Sequence, residues 1–213
     1  MSAVKRPGRR YESPLREESA RRTKRAVVAA ATTLFAERGY VATSLAEVAA
    51  AAGVARPTVF AAFGSKGALL GQVLDEALAG DDEPVAVADR PWFRPVWDAA
   101  SPAEVLDAYA GVCTLIGRRA ARMFEVVRRA ADDSPEARHL WETLCRNRIT
   151  GARMVVERAA DRGAAIDLER AVDSLWIFND PAHYNALVHH RGWPETDFTP
   201  WLAARMRDAV LNH

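Results

Sequence analysis

The 213-residue chain has few cysteines and no long apolar run. Its two cysteines, Cys113 and Cys145, lie far apart and form no CxxC pair, which favours buried thiols over a structural disulfide. No run of 18 or more apolar residues occurs, and the N-terminus lacks an apolar signal region. These absences predict a cytoplasmic protein without a transmembrane helix.

The residue patterns that catalysis and metal binding require are also missing. No G-x-S-x-G motif, P-loop or glycine-rich dinucleotide motif occurs, so we predict that the protein is not an enzyme and has no cofactor. His183, His189 and His190 lie close together in sequence. However, no HExxH motif, cysteine pair or flanking carboxylate completes a coordination set, so no metal site is predicted.

Positive charge is concentrated at the start of the chain. The net charge is +1, but residues 1–66 hold 12 Lys and Arg against 5 Asp and Glu, a net +7, and residues 67–213 carry a net −6. Hydrophobic residues make up 49% of the chain, which predicts a folded core. A basic first third on a slightly acidic remainder indicates that only the first third meets a polyanion.

Residues 44–63 have the pattern of two short helices joined by a tight turn. Ser44 and Glu47 form an S-x-x-E capping box, which begins the first helix at the next residue. Gly53 supplies the positive φ that the turn needs, and Pro57 is tolerated only in the first turn of a second helix. A helix-turn-helix that reads DNA has this form, and so does an ordinary αα-hairpin within a helical bundle.

Basic residues surround this stretch. Residues 1–16 form a flexible basic tail, which either lies along DNA phosphates or is simply solvated. Helices are predicted over about 17–38 and from 66 to about 79. Arg25 and Lys66 lie in the early turns of these two helices, where cations oppose the helix dipole. A nearby phosphate backbone would explain their position.

The span from about residue 20 to 72 resembles the N-terminal domain of TetR-family (tetracycline-repressor-like) transcriptional regulators. The resemblance rests on motifs that occur in a fixed order over one continuous span. They are Phe35-Ala-Glu-Arg-Gly-Tyr, Thr43-Ser, Val48-Ala, Ala52-Gly-Val, Thr58-Val-Phe, Phe63 and Lys66-Gly-Ala-Leu-Leu.

The resemblance implies an all-α fold of about nine helices and a function in transcription. It implies a three-helix helix-turn-helix DNA-binding domain at 17–65, a connecting helix at 66–80, and a ligand-binding and dimerisation domain at 81–213. The implied protein is a homodimer that binds a pseudo-palindromic double-stranded DNA operator. The predicted protein is a repressor that a small, largely apolar effector would release from the operator.

Carried over position by position, the resemblance assigns DNA contacts to Ser44, Arg56, Thr58 and Lys66. The full set of predicted DNA-binding residues also includes Arg25, Thr43, Pro57 and Phe60. Three departures weaken the reading face. Phe60 stands where the family usually has tyrosine, Ala61 and Ala62 stand where longer polar side chains often reach DNA, and Ala55 replaces the usual serine N-cap.

These departures leave Arg56, opposite a guanine, as the main direct base contact. They also motivate an alternative function, a helical ligand-binding or interaction module with weak or lost sequence-specific DNA binding.

Helix signals continue to the C-terminus. A helix beginning at Pro102 is predicted to break near Gly117, and Pro181 is predicted to kink or restart a later helix. The resemblance implies that helices within 168–190 and 196–212 form the dimer interface. The connection at 81–100 carries three aromatic residues, which indicate either a functional lid or a loop pinned onto the core.

Six residues in the C-terminal region are candidates for lining an apolar ligand cavity between helices. Pockets in helical bundles combine aromatic and aliphatic walls with a few polar groups, although the same spacing also suits a solid core. The candidates are Tyr109, Cys113, Phe124, Trp141, Trp176 and Asn179.

Overall fold

A computed structural model describes residues 14–212, and the secondary structure within this range is helical throughout, without strands. Most of the basic tail predicted at 1–16 lies outside the described residues, and its last three residues already belong to the first helix. The α-helices are α1 (Pro14–Arg38), α2 (Leu45–Ala51), α3 (Arg56–Phe63), α4 (Lys66–Ala79), α5 (Arg94–Asp98), α6 (Pro102–Ala130), α7 (Pro135–Asp161), α8 (Leu168–Phe178), α9 (Pro181–Tyr184) and α10 (Glu195–Leu211).

The predicted helix-turn-helix is formed by α2 and α3, whose axes meet at 110°. The Ser44 hydroxyl accepts a hydrogen bond from the Glu47 amide at 3.2 Å, and the Glu47 carboxylate accepts one from the Ser44 amide at 2.8 Å. This reciprocal capping box fixes the start of α2. Gly53 has a φ of 68° in the turn, a conformation that side chains with a Cβ rarely adopt.

The N-terminal helices share a core with the rest of the protein. Phe35, Val48 and Val59, from α1, α2 and α3, are fully buried against one another and against α4. The same apolar cluster includes Phe124 of α6 and Leu144 of α7. The N-terminal helices therefore share one packed body with the C-terminal helices. The contact is made by α1 and α4, which both pack against α6.

A second core holds the C-terminal helices together. It is centred on α6, which packs against α7, α9 and α10, while α8 packs against α7 and α10. Leu106, Leu175, Leu202 and Met206 from α6, α8 and α10 are almost completely buried in it. The helix pair α8 and α10, predicted to form the dimer interface, thus has one face fixed in the core.

The break predicted near Gly117 is wrong, because α6 runs continuously from Pro102 to Ala130. Gly117 is buried and lies directly under the ring of Tyr184, where an added Cβ would lie 2.6 Å from a ring carbon. The glycine is therefore required for the close approach of α9 to α6. Pro181 begins α9 after α8 has ended, and the chain continues as a turn of π-helix over Asn185–His190.

The connection between α4 and α6 is partly ordered by its own side chains. Arg90, which is 5% exposed, donates to the Asp81 carboxylate at 2.7 Å and to the Glu83 carbonyl at 2.7 Å. The Trp97 indole donates to the Ala88 carbonyl at 2.8 Å. These bonds are internal to the connection, and the buried Phe93 and Val96 anchor it in the core of the C-terminal helices.

No single helix within residues 14–212 is long and apolar enough to cross a membrane, and only the bent pair of α2 and α3 passes such a test by length and composition.

Candidate nucleic-acid interface and internal cavity

The candidate DNA-reading surface is the exposed side of α3. Arg56, Pro57, Thr58 and Phe60 are all exposed, whereas Val59 is fully buried and anchors the helix. Within residues 14–212 the Arg56 guanidinium forms neither an ion pair nor a hydrogen bond with the protein. An unpaired cation at the start of this helix is free to meet a base edge or a phosphate.

The remainder of this surface is apolar. Phe60 is 63% exposed, and no side chain caps the amide groups at the start of α3, because Ala55 occupies the N-cap. Pro57 has no N–H group and the Thr58 amide donates to the Ala55 carbonyl at 2.9 Å, so the start of α3 offers few backbone donors to a phosphate.

Ser44 and Thr43 precede α2 and have different environments. The Ser44 side chain is exposed, while its hydroxyl is shared between the Glu47 amide and carboxylate. Thr43 is only 1% exposed, and its hydroxyl donates to the Gly39 carbonyl at 2.8 Å. In this conformation the Thr43 hydroxyl supports the loop between α1 and α2 and does not reach the surface.

Lys66 is bound by the same loop. Its ammonium donates to the carbonyls of Tyr40 and Thr43, both at 3.0 Å, and lies 4.2 Å from the centre of the Tyr40 ring. Burial lowers the pKa of Lys66, and the charge of Glu136 opposes this shift. The lysine therefore links the N-terminus of α4 to the loop that presents α2.

The basic residues of α1 are partly neutralised within the protein. The Asp82 carboxylate accepts two hydrogen bonds from Arg21, both at 2.8 Å, and two from Arg25, at 2.9 and 3.1 Å. Arg21 also pairs with Glu83. The two arginines hold the pKa of Asp82 far below its usual value. An acidic segment directly after α4 thus occupies cations that would otherwise face solvent.

A cavity of about 340 Å³ lies between α4, the 81–93 segment, α6, α7 and the junction of α8 and α9. Four of the six predicted ligand residues line it: Tyr109, Cys113, Phe124 and Asn179. The other lining residues are mostly apolar, and they include Leu78, Val87, Phe93, Ile116, Leu144 and Met154. The cavity has the size and the composition of a site for a small organic molecule.

The two remaining candidates lie elsewhere. Trp141 packs into the cluster shared with the N-terminal helices, and Trp176 stacks on the Arg148 guanidinium at 5.4 Å. Neither indole ring lines the cavity. Their apolar spacing was the reason for including them, and this spacing is also satisfied by packing against neighbouring helices.

One wall of the cavity is a chain of hydrogen bonds that the sequence analysis missed in part. Arg148 forms an ion pair with Asp180 at 2.9 Å and donates to the Asn179 side-chain carbonyl at 3.1 Å and the Trp176 carbonyl at 2.7 Å. The Asn179 amide donates to the Tyr109 hydroxyl at 3.1 Å. The polar wall, as we call Tyr109, Arg148, Asn179 and Asp180, joins α6 to α7 and to the α8–α9 junction.

Burial keeps Tyr109 and the neighbouring Cys113 protonated. It raises the pKa of Tyr109 well above its usual value and raises the pKa of Cys113 to about 12. The charge of Arg148 is balanced by Asp180, whose side chain is 30% exposed against 10% for Arg148. The cavity wall is therefore electrically neutral near pH 7.

A signal for Arg148 was present in the sequence. Arg148 follows Leu144 by four residues and precedes Ala152 by four, so it occupies the buried stripe of α7. An arginine on an apolar stripe requires internal partners, and this position would have identified it as a candidate for a buried site.

Among the described residues, no group of three or more His, Cys, Asp or Glu side chains is arranged to hold a metal ion.

Comparison with known proteins identifies the N-terminal region. Residues 27–73 match the sequence model of the family described as "Bacterial regulatory proteins, tetR family". This range contains the C-terminal half of α1, the whole helix-turn-helix and the first half of α4. No curated protein sequence matches the chain.

Solved structures share the fold of the chain. A candidate transcriptional regulator from Saccharomonospora viridis, in complex with choline, has a TM-score of 0.67 at 18% identity, covering 92% of this chain and 100% of its own. A candidate TetR-family regulator from Rhodococcus sp. has a TM-score of 0.66 at 14% identity, covering 90% and 99%. A transcriptional regulator from Rhodococcus sp. RHA1 has a TM-score of 0.63 at 17% identity, covering 87% and 95%.

The predicted resemblance is confirmed by these findings. The chain has the all-α fold of TetR-family transcriptional regulators, with the DNA-binding domain of that family at its N-terminus. Regulators of this kind are generally not enzymes.

Proposed function

We propose that the protein is a cytoplasmic, homodimeric transcriptional repressor that a small, largely apolar ligand releases from its operator. The observation that carries the proposal is the position of α4 between the two candidate sites. At one end of this helix, Lys66 holds the loop before α2. At the other end, Leu78 lines the cavity.

The length of α4 suits a role in transmission. Its 14 residues span about 21 Å at 1.5 Å per residue, so a helix that shifts at its cavity end also shifts at its DNA-binding end. The acidic segment after α4 provides a second link, because Asp82 binds α1 while Val87, on the same connection, lines the cavity. A ligand that binds one arrangement of α4 more tightly will bias the DNA-binding unit.

Dimerisation is proposed through the outer faces of α8 and α10. On α8, Ile177 is 51% exposed, which is unusual for a large apolar side chain. On α10, Pro200 is exposed on the side away from the core. Two such subunits would place their recognition helices in successive major grooves, about 34 Å apart.

The test is selection of bound sequences from random double-stranded DNA with the full chain. We expect an enriched inverted repeat, and we expect Arg56→Ala to weaken binding to it by about tenfold. The matched control is Arg94→Ala, which removes an exposed arginine from α5. Equal binding by wild type, Arg56→Ala and Arg94→Ala would show that the carried-over contact is wrong.

The second candidate function, a ligand-binding module without sequence-specific DNA binding, is favoured by one observation. The exposed face of α3 carries Phe60 and Ala61 in place of polar side chains. Selection that enriches no motif even at low salt would support this candidate and reject the repressor.

A further inference from the structure

The bonds of the polar wall point to the chemistry of the ligand. Asn179 uses all its hydrogen-bonding groups within the protein: its side-chain carbonyl accepts from Arg148, and its amide donates to the Tyr109 hydroxyl and to the Arg148 carbonyl at 3.2 Å. It is 8% exposed, so this geometry is fixed by its surroundings. Both amide hydrogens of Asn179 are therefore committed to the protein, and it has no donor left for a ligand.

Arg148 is similarly committed to protein partners. Its guanidinium donates to Asp180, Asn179 and the Trp176 carbonyl, and it stacks on the Trp176 ring. Asp180 itself is not among the residues that line the cavity. An anionic ligand would have to displace this carboxylate from its partner. A cationic ligand would meet Arg148 and no lining carboxylate among the described residues.

The Tyr109 hydroxyl is the exception in this wall. Its oxygen accepts from Asn179 at 3.1 Å, but within residues 14–212 its own hydrogen is donated to no protein acceptor at hydrogen-bond distance. Gly151 leaves space beside the hydroxyl, because a Cβ added there would lie 3.9 Å from the Tyr109 oxygen.

We propose that the cavity binds an uncharged, largely apolar molecule with one hydrogen-bond acceptor, to which the Tyr109 hydroxyl donates. An aromatic ketone is the simplest member of this class. The apolar walls formed by Phe93, Phe124 and Ile116 would hold its rings, and its oxygen would accept the hydrogen bond that the Tyr109 hydroxyl can donate. The inference rests on the proposed function only in taking this cavity as the effector site.

The experiment measures the affinity of the full chain for four probes by titration calorimetry. The probes are benzophenone, its hydrocarbon analogue diphenylmethane, the anion diphenylacetate and the cation benzyltrimethylammonium. We expect benzophenone to bind about five- to tenfold more tightly than diphenylmethane, because only the ketone accepts the hydrogen bond. Both ions should bind at least tenfold more weakly than the ketone, because the cavity offers them no free counter-charge.

Two variants test whether the preference for the ketone depends on the Tyr109 hydroxyl. Tyr109→Phe should reduce the preference for ketone over hydrocarbon to less than about twofold, because it removes the hydroxyl that donates to the ketone, together with the acceptor of the Asn179 amide. The matched control is Tyr184→Phe, since the Tyr184 hydroxyl donates to Glu195 and does not line the cavity. This control should retain the wild-type preference. The wild-type comparison of the probes decides the proposal even if Tyr109→Phe is poorly folded.

Several results would overturn the inference. They are equal binding of ketone and hydrocarbon by the wild type, tightest binding of either ion, binding of none of the four probes, or a ketone preference that survives in folded Tyr109→Phe. None of these measurements uses DNA. If the ketone binds as expected but never releases a selected operator, the proposed repressor function fails and the ligand class stands.

Discussion

The arginines of the two candidate sites differ in exposure and in the number of protein partners they have. Arg56, at the start of the recognition helix, is exposed and has no protein partner within the described residues. Arg148, on the cavity wall, is 10% exposed and is held by a carboxylate, an amide oxygen and a backbone carbonyl. A surface that binds a polyanion needs unpaired positive charge, whereas a cavity for a neutral ligand needs its charge balanced internally.

Arg21 and Arg25 lie between these extremes. They are about half-exposed on the basic helix α1, yet both are paired with Asp82. Their pairing is the feature that the sequence analysis did not foresee, since the carboxylate lies more than 50 residues away in sequence. The contrast between free, shared and buried arginines leads to three predictions with different readouts.

The largest effect is expected from removal of the buried arginine. Arg148→Met should lower the free energy of unfolding by about 3 kcal/mol, because it leaves Asp180 and Asn179 without their partner. Arg56→Met should change it by less than about 0.5 kcal/mol, because this side chain is exposed and unpaired. Urea denaturation of the two variants measures both values. A loss below about 1 kcal/mol for Arg148→Met would show that the polar wall is not a connected network.

The difference between the two arginines also explains what could be predicted from sequence. The helix-turn-helix is encoded locally: the capping box joins residues three apart, Gly53 sets the turn, and Pro57 marks the start of α3. Local signals of this kind are recognisable in a single sequence. The fold class and the position of the DNA-binding domain were therefore predictable.

The cavity was only partly predictable because its contacts are long-range. Arg148 and Asn179 are 31 residues apart, and Asn179 and Tyr109 are 70 residues apart. Helical spacing selects the apolar face of each helix, but it does not tell which faces meet around a cavity and which form solid core. This is why the same spacing grouped Tyr109 and Asn179, which line the cavity, with Trp141 and Trp176, which do not.

An intermediate effect is expected when Arg21 and Arg25 lose their common partner, Asp82. Asp82→Asn should raise the affinity for non-specific DNA about tenfold at low salt and steepen the salt dependence of binding by one to two counterions, because Arg21 and Arg25 become available to phosphates. The matched control is Asp98→Asn, which makes the same change at an exposed, loosely paired carboxylate of α5. Fluorescence anisotropy over a salt series measures both quantities. Identical slopes for wild type and Asp82→Asn would mean that these arginines do not face DNA.

Acidification should not mimic this substitution. Arg21 and Arg25 lower the pKa of Asp82, so the ion pair is fully formed above the ordinary aspartate pKa of about 4 and is lost only as the pH falls through the much lower pKa of the folded protein. Lowering the pH from 7 to 5 should therefore leave the difference between wild type and Asp82→Asn unchanged. A difference that disappears at pH 5 would contradict the strength of this pairing.

The smallest effect separates the two regions most cleanly, because the same substitution is available in both. Ser44 caps α2 of the DNA-binding unit and Ser101 caps α6 of the cavity-bearing region, each through a hydrogen bond to the amide three residues later. Replacing either by alanine should lower the free energy of unfolding by about 1 kcal/mol. Only Ser44→Ala should also weaken operator binding, by a few-fold, since α2 and its loop present the recognition helix. If Ser101→Ala weakened operator binding equally, the effect would come from global stability, and the capping box of α2 would have no separate part in DNA recognition.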